Sequence, residues 1–345
     1  MIRFLQNLGL LLAAFVIAYF LGPRAPKAAL SDVSATVSAN LLQLEKEIAD
    51  AERKAGVRPD NEARIFWADS LRRHKTPYSF VYLHGFSASW AEGDPVHRQL
   101  ARHFGANLYV ARLAGHGLQS PDALKNLTPA EYVASAEQAL AVGKALGDKV
   151  VLIGTSAGGM LSLFLAARHP EISGLVLYSP CIEVANPALK LVTGPWGRQI
   201  LRQVNGSDYL STTRYKPDRA RYWYAQYHAN GLVTLQTLLD AYMTDETFEK
   251  INQPVFLGYY YKDDEHQDKV VSVAAMLEMY EGLGTKSANK RKAAFPEAGE
   301  HVIASHFTSG DLNGVYRESE RFLSEVLQLQ PVQQPLASLA LQKKK

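Results

Sequence analysis

The fold of this chain is decided at residues 150–158, which read Val-Val-Leu-Ile-Gly-Thr-Ser-Ala-Gly. The four apolar residues predict a buried strand, and the residues after Ser156 predict a helix that begins at once. So sharp a turn strains its central residue, and side chains two positions before and after it would collide. Gly154 and Gly158 meet that requirement. The pattern is typical of a nucleophile elbow that raises the Ser156 hydroxyl above a sheet; a glycine-rich turn without chemistry is the alternative.

A histidine near the carboxyl end is the predicted base for this serine. A hydroxyl is a poor nucleophile until a base removes its proton, and histidine is the usual base because its pKa lies near neutrality. In chains with this elbow the histidine follows the acid in sequence. His301 lies just past the last predicted strand, directly after a glycine-containing turn, and is the predicted base. His306 is the rival.

The acid that orients this histidine is less narrowly defined. It should follow the strand predicted at 255–261, where the next loop carries several carboxylates. We favour Asp268, because it precedes two valines that are able to start the next helix. Asp263, which lies closer to the strand end, and Asp264 or Glu265 are the alternatives. The carboxylates that do not act are expected to be solvated.

Two main-chain amides are the predicted donors to the oxyanion that forms when a serine attacks a carbonyl. One is the N–H of Ala157, directly after the nucleophile. The other is the N–H of Phe86, in the loop that follows the apolar strand at 80–83. His84 in the same loop is expected to fix the loop by hydrogen bonds rather than to act as a base.

Short apolar runs alternate with helical patterns on both sides of the elbow. Strands are predicted at 80–83, 107–113, 149–153, 175–178, 255–261 and 291–295, with helices between them. This alternation predicts an α/β fold with a mostly parallel sheet and helices on both of its faces. Before residue 78 only Ile65–Trp67 is a weak strand candidate.

The alternation breaks between residues 184 and 250, where aromatic residues are frequent and no comparable strand is found. This stretch is predicted to be an inserted helical cap. The predicted division of the chain is a transmembrane anchor or signal at 1–23, a helical linker at 24–60, a core at 61–183 and 251–329, the cap at 184–250, and a flexible tail at 330–345.

The amino terminus is the strongest compositional outlier, because no charged residue lies between Arg3 and Arg24. A helix of about 20 residues spans roughly 30 Å, the thickness of the hydrocarbon core of a bilayer. We favour an uncleaved membrane anchor, because the following Gly-Pro-Arg-Ala-Pro-Lys is a poor cleavage site. The catalytic part is then expected outside the cytoplasm, in the periplasm or its equivalent, although basic residues on both sides leave the orientation open. A cleaved signal that releases a secreted protein is the alternative.

Composition argues against several other classes of protein. The net charge is +3 and no basic stripe is interleaved with aromatic residues, so a nucleic-acid partner is not expected. The single cysteine, Cys181, excludes an intrachain disulfide. Because CxxC and HExxH patterns are absent, nothing indicates a zinc site, and neither a metal nor an organic cofactor is expected. Lys343–Lys345 are expected to be a solvated end.

Together these segments resemble the α/β-hydrolase superfamily, in its monoacylglycerol-lipase and serine-aminopeptidase-like branch. The matching segments fall in the family's order over residues 78–328, and they are His84–Ser87, Arg112–Gly117, Gly154–Gly158, Asp268–Val271 and Gly299–His301. The resemblance implies a catalytic triad of Ser156, Asp268 and His301.

The resemblance also implies an oxyanion hole from the Phe86 and Ala157 amides and a cap between the sixth and seventh strands of the family. Two departures matter. The loop before Asp268 is longer than usual, which leaves the identity of the acid open. Because the sequence before residue 78 offers so little strand pattern, the sheet is expected to lack one or two of the family's eight strands.

The resemblance implies a serine hydrolase that works through an acyl-enzyme. Lipid-type esters such as monoacylglycerols or lysolipids are the favoured substrates, because an anchor places the enzyme near lipid. The aromatic residues of the cap suit an apolar acyl or aryl group; packing of the cap's own core is an equal alternative for them. A serine aminopeptidase is the alternative enzyme; it needs an acidic subsite for the peptide amine, for which Glu92 and Asp94 are candidates. A catalytically silent binding protein on the same fold is the alternative from another class.

Overall fold

The computed structural model describes residues 2–28, 35–213 and 215–332. Most of the predicted tail, including Lys343–Lys345, lies outside these residues.

The strands of the described chain fall into two sheets. In chain order they are β1 (Arg64–Phe66), β2 (Thr76–Leu83), β3 (Asn107–Val110), β4 (Gly147–Thr155), β5 (Gly174–Tyr178), β6 (Tyr209–Ser211), β7 (Gln226–His228), β8 (Val255–Tyr259) and β9 (Lys290–Ala294). The main sheet has seven strands in the order β1-β3-β2-β4-β5-β8-β9. Only β1 pairs antiparallel within it, so the mostly parallel sheet that the sequence predicts is confirmed.

The α-helices of the described residues lie before, between and after these strands. They are α1 (Ile2–Phe20), α2 (Leu41–Ala55), α3 (Val96–His103), α4 (Pro129–Leu146), α5 (Ala157–Arg168), α6 (Gly197–Asn205), α7 (Pro217–Ala220), α8 (Asn230–Tyr242), α9 (Asp245–Glu249), α10 (Val273–Gly282) and α11 (Leu312–Glu325). Three short 3₁₀ helices occupy Trp90–Gly93, Pro187–Thr193 and Ser287–Asn289. The start of α4 is fixed by a capping box, in which Thr128 and Glu131 bond each other's main-chain N–H.

The core lies on both faces of the main sheet. Successive side chains of a strand point to opposite faces, and in β2 Phe80 and Tyr82 join one hydrophobic cluster while Val81 and Leu83 join the other. Helices α3 and α11 cover the first face, and α4, α5 and α10 cover the second. Burial on both faces explains why β2 and β4 read as continuous apolar runs rather than as alternating ones.

Two parts of the chain contain strands that the sequence indicates weakly or not at all. The weak candidate at Ile65–Trp67 is a strand, β1, and it forms the edge of the sheet at Arg64–Phe66. The stretch predicted to be a helical cap also contains strands, because β6 and β7 form a separate antiparallel pair. Each of these strands is three residues long, which is too short to show an alternating pattern.

The two helices before the sheet differ in how far they are buried against the rest of the chain. Helix α1 contains an 18-residue window, Arg3–Phe20, that is long and apolar enough to cross a membrane and is not buried inside the protein. After it, the Trp196 main-chain N–H donates to Pro23 O over 2.8 Å, which attaches this segment to the 184–250 region. Helix α2 buries Leu44 and Glu52, and the Glu52 carboxylate pairs with Arg112. Residues 41–55, within the predicted helical linker, therefore form a helix that packs on the sheet region.

Candidate active site

Ser156 lies between β4 and α5 in a strained backbone conformation. Its φ is 53° and its ψ is −118°, a region that residues with side chains rarely adopt. A Cβ at Gly154 would lie 2.6 Å from Gly158 O, and a Cβ at Gly158 would lie 1.9 Å from Leu83 O, at the end of β2. Both positions therefore require glycine, and the second collision is with the neighbouring strand rather than within the turn.

Ser156 opens into a cavity of about 550 Å³ beneath the 184–250 region. Phe86, Glu92 and His301 line the same cavity. The Ser156 N–H donates to Tyr178 O over 3.0 Å and the Cys181 N–H donates to Ser156 O over 2.9 Å, so the main chain of the serine is fixed from β5 and the segment after it.

Asp268 and His301 lie in direct contact. His301 Nδ1 is 2.6 Å from Asp268 Oδ2, the Asp268 side chain is fully buried, and that of His301 is 10% exposed. The other carboxylate oxygen, Oδ1, accepts the N–H groups of Val270 over 2.8 Å and Val271 over 3.1 Å. His301 Nε2 is buried and has no hydrogen-bond partner among the described residues, and both His301 and Ser156 face the cavity.

The two side chains stabilise each other's charged forms. Burial raises the pKa of Asp268, but the charge of His301 and the hydrogen bonds from His301, Val271 and Val270 outweigh it, so the net pKa is lowered. Burial lowers the pKa of His301, but the Asp268 charge and hydrogen bond outweigh it, so the net pKa is raised. This is the electrostatic arrangement of a base that accepts a proton and is then held as an imidazolium.

The rival candidates lie elsewhere. Asp263 Oδ1 accepts from the exposed His266, over 2.8 Å from Nδ1, and Asp264 accepts from the Tyr261 hydroxyl over 2.9 Å. Both carboxylates and Glu265 are exposed on the loop. His306 Nδ1 lies 3.1 Å from Asp94 O, so this ring faces another loop. Of the candidates weighed from the sequence, only Asp268 and His301 are brought together.

The amides of Phe86 and Ala157 are positioned at the two sides of the elbow. Within the described part of the chain neither N–H donates a hydrogen bond to another group. His84 fixes the Phe86 loop: its Nε2 accepts the Leu113 N–H over 3.1 Å, so its Nδ1 carries the proton and donates to Gly85 O over 2.8 Å. Burial lowers the pKa of His84 well below its usual range, which keeps the ring neutral in this role.

Glu92, which the sequence offers only as a candidate acidic subsite for a peptide amine, lies beside Ser156 and lines the cavity. It follows the Phe86 loop in a 3₁₀ turn, is 2% exposed, and accepts hydrogen bonds at Oε2 from the Gly85 N–H and from the Tyr82 hydroxyl. A Cβ at Gly85 would lie 2.6 Å from Glu92 Oε1 and 3.1 Å from Ser156 Cβ, so the carboxylate and the serine flank this glycine. Burial outweighs these hydrogen bonds and raises the pKa of Glu92 to about 7.

Asp94, the other acidic residue considered for this loop, has a different environment. It pairs with Arg98, whose Nη2 lies 2.8 Å from Asp94 Oδ2, and it does not line the cavity. Only Glu92 of the two therefore presents a carboxyl group beside Ser156.

Comparison with known proteins assigns this architecture to a family. The sequence profile of the alpha/beta hydrolase family matches residues 80–311. The chain belongs to the alpha/beta hydrolase family. The matched range contains the Phe86 loop, the elbow, Asp268 and His301, and this hydrolase has seven of the eight strands of its family in the main sheet.

Several esterase- and lipase-like proteins are similar to this hydrolase. A thermostable monoacylglycerol lipase of Bacillus sp. (strain H-257) is 26% identical over 200 residues, 58% of this chain and 75% of the lipase. A structure from the metagenome-derived lipolytic enzymes LipS and LipT superposes with a TM-score of 0.61 at 18% identity, over 78% of this chain and 99% of that one. The monoglyceride lipase of Saccharomyces cerevisiae gives 0.54 at 15%, over 76% and 91%. The structures share the fold, and the relatives support an esterase- or lipase-like hydrolase.

Residues of the 184–250 region form much of the wall of the hydrolase cavity. Apolar side chains, Leu189, Leu232 and Leu235, line one part of it. They also line a smaller adjoining cavity together with Val192. Of the aromatic residues that are frequent in this region, Tyr215, Trp223 and Tyr227 line the cavity, whereas others such as Tyr242 pack against the helices of the core. The aromatic residues thus serve both the cavity and the packing of the region.

In the part of the hydrolase that the structure describes, metal-ligating side chains are not clustered. Within the described residues, no group of three or more His, Cys, Asp or Glu side chains is arranged to bind an ion.

Cys181 is buried near Ser156, and burial raises the pKa of its thiol to about 12. A thiol in that state is protonated at neutral pH and a poor nucleophile.

Proposed function

We propose that this protein hydrolyses carboxylic esters of lipid type through a triad of Ser156, His301 and Asp268 and an acyl-enzyme intermediate. The observation that carries the proposal is the state of His301. His301 Nδ1 is hydrogen-bonded to the buried Asp268 carboxylate, and Nε2 has no partner among the described residues. His301 and Ser156 line the same cavity. A neutral imidazole in this position is ready to accept a proton from the serine hydroxyl.

The proposed reaction has two steps. His301 Nε2 takes the proton of Ser156 Oγ as the oxygen attacks the carbonyl carbon, and the amides of Phe86 and Ala157 donate to the oxyanion. The Asp268 carboxylate stabilises the imidazolium, which then gives its proton to the departing alcohol. In the second step His301 deprotonates a water molecule that attacks the acyl-enzyme, and Ser156 Oγ is released with its proton restored.

Two features support a lipid-type ester over a small polar one. The cavity has an apolar part lined by Leu189, Leu232 and Leu235, which suits an acyl chain. Helix α1 is long and apolar enough to cross a membrane, and we propose that it anchors the enzyme there with the catalytic part outside the cytoplasm. Monoacylglycerols and lysolipids combine a single acyl chain with a polar alcohol and match both features. We further propose that residues 184–250 act as the cap over the site.

The test is the Ser156→Ala variant. We expect its hydrolysis of monoacylglycerol and of p-nitrophenyl esters to fall by about four to six orders of magnitude, because loss of the nucleophile removes the acyl-enzyme route. Labelling by a fluorophosphonate should disappear as well. Ser120→Ala, a change at an exposed serine away from the cavity, should retain labelling and turnover. Undiminished turnover by Ser156→Ala would refute the proposal, and absence of any turnover or labelling in the wild type would favour a silent binding protein.

A peptidase is the second candidate, and Glu92 is the observation in its favour. A carboxyl group that lines the cavity beside Ser156 offers a partner for the amino group of a peptide. An aminoacyl anilide and an ester with the same acyl group separate the two functions. Faster cleavage of the anilide, lost in Glu92→Gln, would favour the peptidase over the esterase.

A further inference from the structure

The cavity wall beside His301 carries a guanidinium that the proposed chemistry does not use. Arg219 belongs to the short helix α7 and lines the cavity together with Ser156 and His301. Its Nη1 donates a hydrogen bond to Glu300 Oε2 over 2.9 Å, and Glu300 immediately precedes His301. The guanidinium therefore lies on the side of the cavity where His301 would protonate the departing alcohol.

Aromatic rings fix the position of this guanidinium. Arg219 Cζ lies 4.5 Å from the centre of the Tyr215 ring and 5.1 Å from that of the Trp223 ring. Only 16% of the side chain is exposed, so its charge is screened by salt less than that of a surface arginine. A guanidinium held in advance loses little conformational freedom when it binds a ligand.

Most hydrogen-bond donors of Arg219 have no partner among the described residues. A guanidinium has five N–H donors, and within the described residues only Nη1 is bonded, while Nε is buried without a partner. Unpaired donors on a largely buried cation are costly. A phosphate or carboxylate satisfies several of them at once, because its oxygens match the planar fork of the guanidinium.

The carboxyl groups nearby do not cancel this charge. Glu300 is 52% exposed, so its ion pair with Arg219 is partly screened by solvent. Glu92 also lines the cavity, but burial raises its pKa to about 7 and its Oε2 already accepts two hydrogen bonds. Lys269 adds a second cation to the lining.

The lining of the cavity has a cationic part around Arg219 and an apolar part around Leu189 and Leu235. Trp223 packs in a small cluster with Ala88 and Val302, whereas Leu235 belongs to the large core cluster on one face of the sheet. A substrate that spans both parts carries an apolar acyl chain at one end and a negative charge at the other. The proposed chemistry requires the ester bond of such a substrate to lie at Ser156.

We propose that Arg219 forms a subsite for an anionic group, a phosphate or a carboxylate, on the alcohol part of the ester substrate. The proposal rests on the ester hydrolysis proposed above and narrows its substrate class. An acylglycerol phosphate is then a better substrate than the corresponding neutral monoacylglycerol.

The full-length enzyme in detergent is tested on monooctanoylglycerol and octanoylglycerol phosphate, which differ only by the phosphate. We expect the wild type to show the higher kcat/KM with the phosphate. Arg219→Gln should lower the ratio of the two kcat/KM values by about tenfold to a hundredfold, mainly through KM. Arg219→Lys keeps the charge without the planar fork and should give an intermediate ratio. Arg221→Gln is the matched control, because Arg221 is stacked on Tyr222 but does not line the cavity.

Three results would overturn the subsite. They are a wild-type enzyme without preference for the phosphate, equal losses with both esters in Arg219→Gln, and the same change of ratio in Arg221→Gln. A succinate half-ester in place of the phosphate distinguishes the two sources of charge, and a preference that requires Arg219 supports the proposal with either group. If neither ester is hydrolysed by a Ser156-dependent route, the proposed function fails on its own. Calorimetric binding of octanoylglycerol phosphate to Ser156→Ala, with and without Arg219→Gln, then still tests the subsite.

Discussion

Two loops at the same edge of the sheet position the proposed nucleophile and its acid, and they are built differently. The elbow at Gly154–Gly158 is defined by close main-chain approach, because a Cβ at either glycine would meet main-chain oxygen. The acid loop at 260–272 is defined by hydrogen bonds, chiefly those that Asp268 Oδ1 accepts from Val270 and Val271. We infer that the elbow is sensitive to added volume, whereas the acid loop is sensitive to charge at a single position.

Among changes in the acid loop, Asp268→Asn should give the largest effect on turnover. The asparagine keeps the size of the side chain, and its carbonyl is able to accept the N–H groups of Val270 and Val271. Its amide N–H would then face His301 Nδ1 and force the proton of the ring onto Nε2, where it blocks transfer from Ser156. We expect kcat to fall about ten-thousandfold while the circular dichroism spectrum is unchanged.

Asp263→Asn is the matched control for that change. It makes the same substitution in the same loop, but Asp263 is exposed and accepts hydrogen bonds from His266 and Glu265 instead of His301. Its kcat should equal that of the wild type. A large loss in Asp263→Asn together with a small one in Asp268→Asn would show that the acid is assigned wrongly.

Gly158→Ala should disrupt the elbow, because there is no space for the added methyl group. The new Cβ would lie 1.9 Å from Leu83 O and 2.8 Å from His84 O, and these are main-chain atoms that the sheet and the Phe86 loop fix in place. We expect the free energy of unfolding in urea to fall by about 3 kcal/mol, with turnover lost as well.

Gly282→Ala is the control for backbone effects of the same substitution. Gly282 is the last residue of α10, and the nearest atom to its added Cβ is Phe248 Cβ at 4.0 Å. Alanine also favours the helix, so its free energy of unfolding should rise by roughly 0.5 kcal/mol. Equal losses in the two variants would mean that close approach at Gly158 does not control stability.

The same difference between the two loops explains which site residues are predictable from the sequence. The elbow is recognisable because its steric requirement falls on five consecutive residues, and the parallel sheet because each buried strand is a continuous apolar run. The identity of the acid is not predictable, because four carboxylates occur from residue 263 to residue 268. Asp268 is distinguished only by its contact with His301, which lies 33 residues later in the chain. No local pattern encodes that contact.

Glu92 and Arg219 show the same limit. Glu92 lies beside Ser156 only because a 3₁₀ turn folds back over Gly85. In the sequence, a loop carboxylate that turns inward looks the same as a solvated one. Arg219 meets Glu300 across 81 positions of the chain. The signal in the sequence that comes nearest to Arg219 is the clustering of aromatic residues around it, Tyr215, Tyr222 and Trp223.

Glu92→Gln should give the smallest effect, a displacement of the pH profile. Neutral His301 is the active form, so kcat/KM falls as the pH falls through its pKa, which lies above its ordinary value of 6.5. The Glu92 charge contributes to that rise, and its removal should move the acidic limb to lower pH by roughly half a unit. The wild-type limb should also be broader than a one-group titration, because Glu92 itself titrates at about 7.

Kinetics of a neutral, soluble p-nitrophenyl ester measure this limb without interference from substrate charge. Asp94→Asn is the control, because Asp94 lies two residues away, is paired with Arg98 and does not line the cavity. Its limb should coincide with that of the wild type. A limb that moves to higher pH in Glu92→Gln, or does not move, would mean that the Glu92 carboxyl carries no charge near His301 at working pH. The Phe86 loop and its Glu92 would then affect the site, like the elbow, through shape alone.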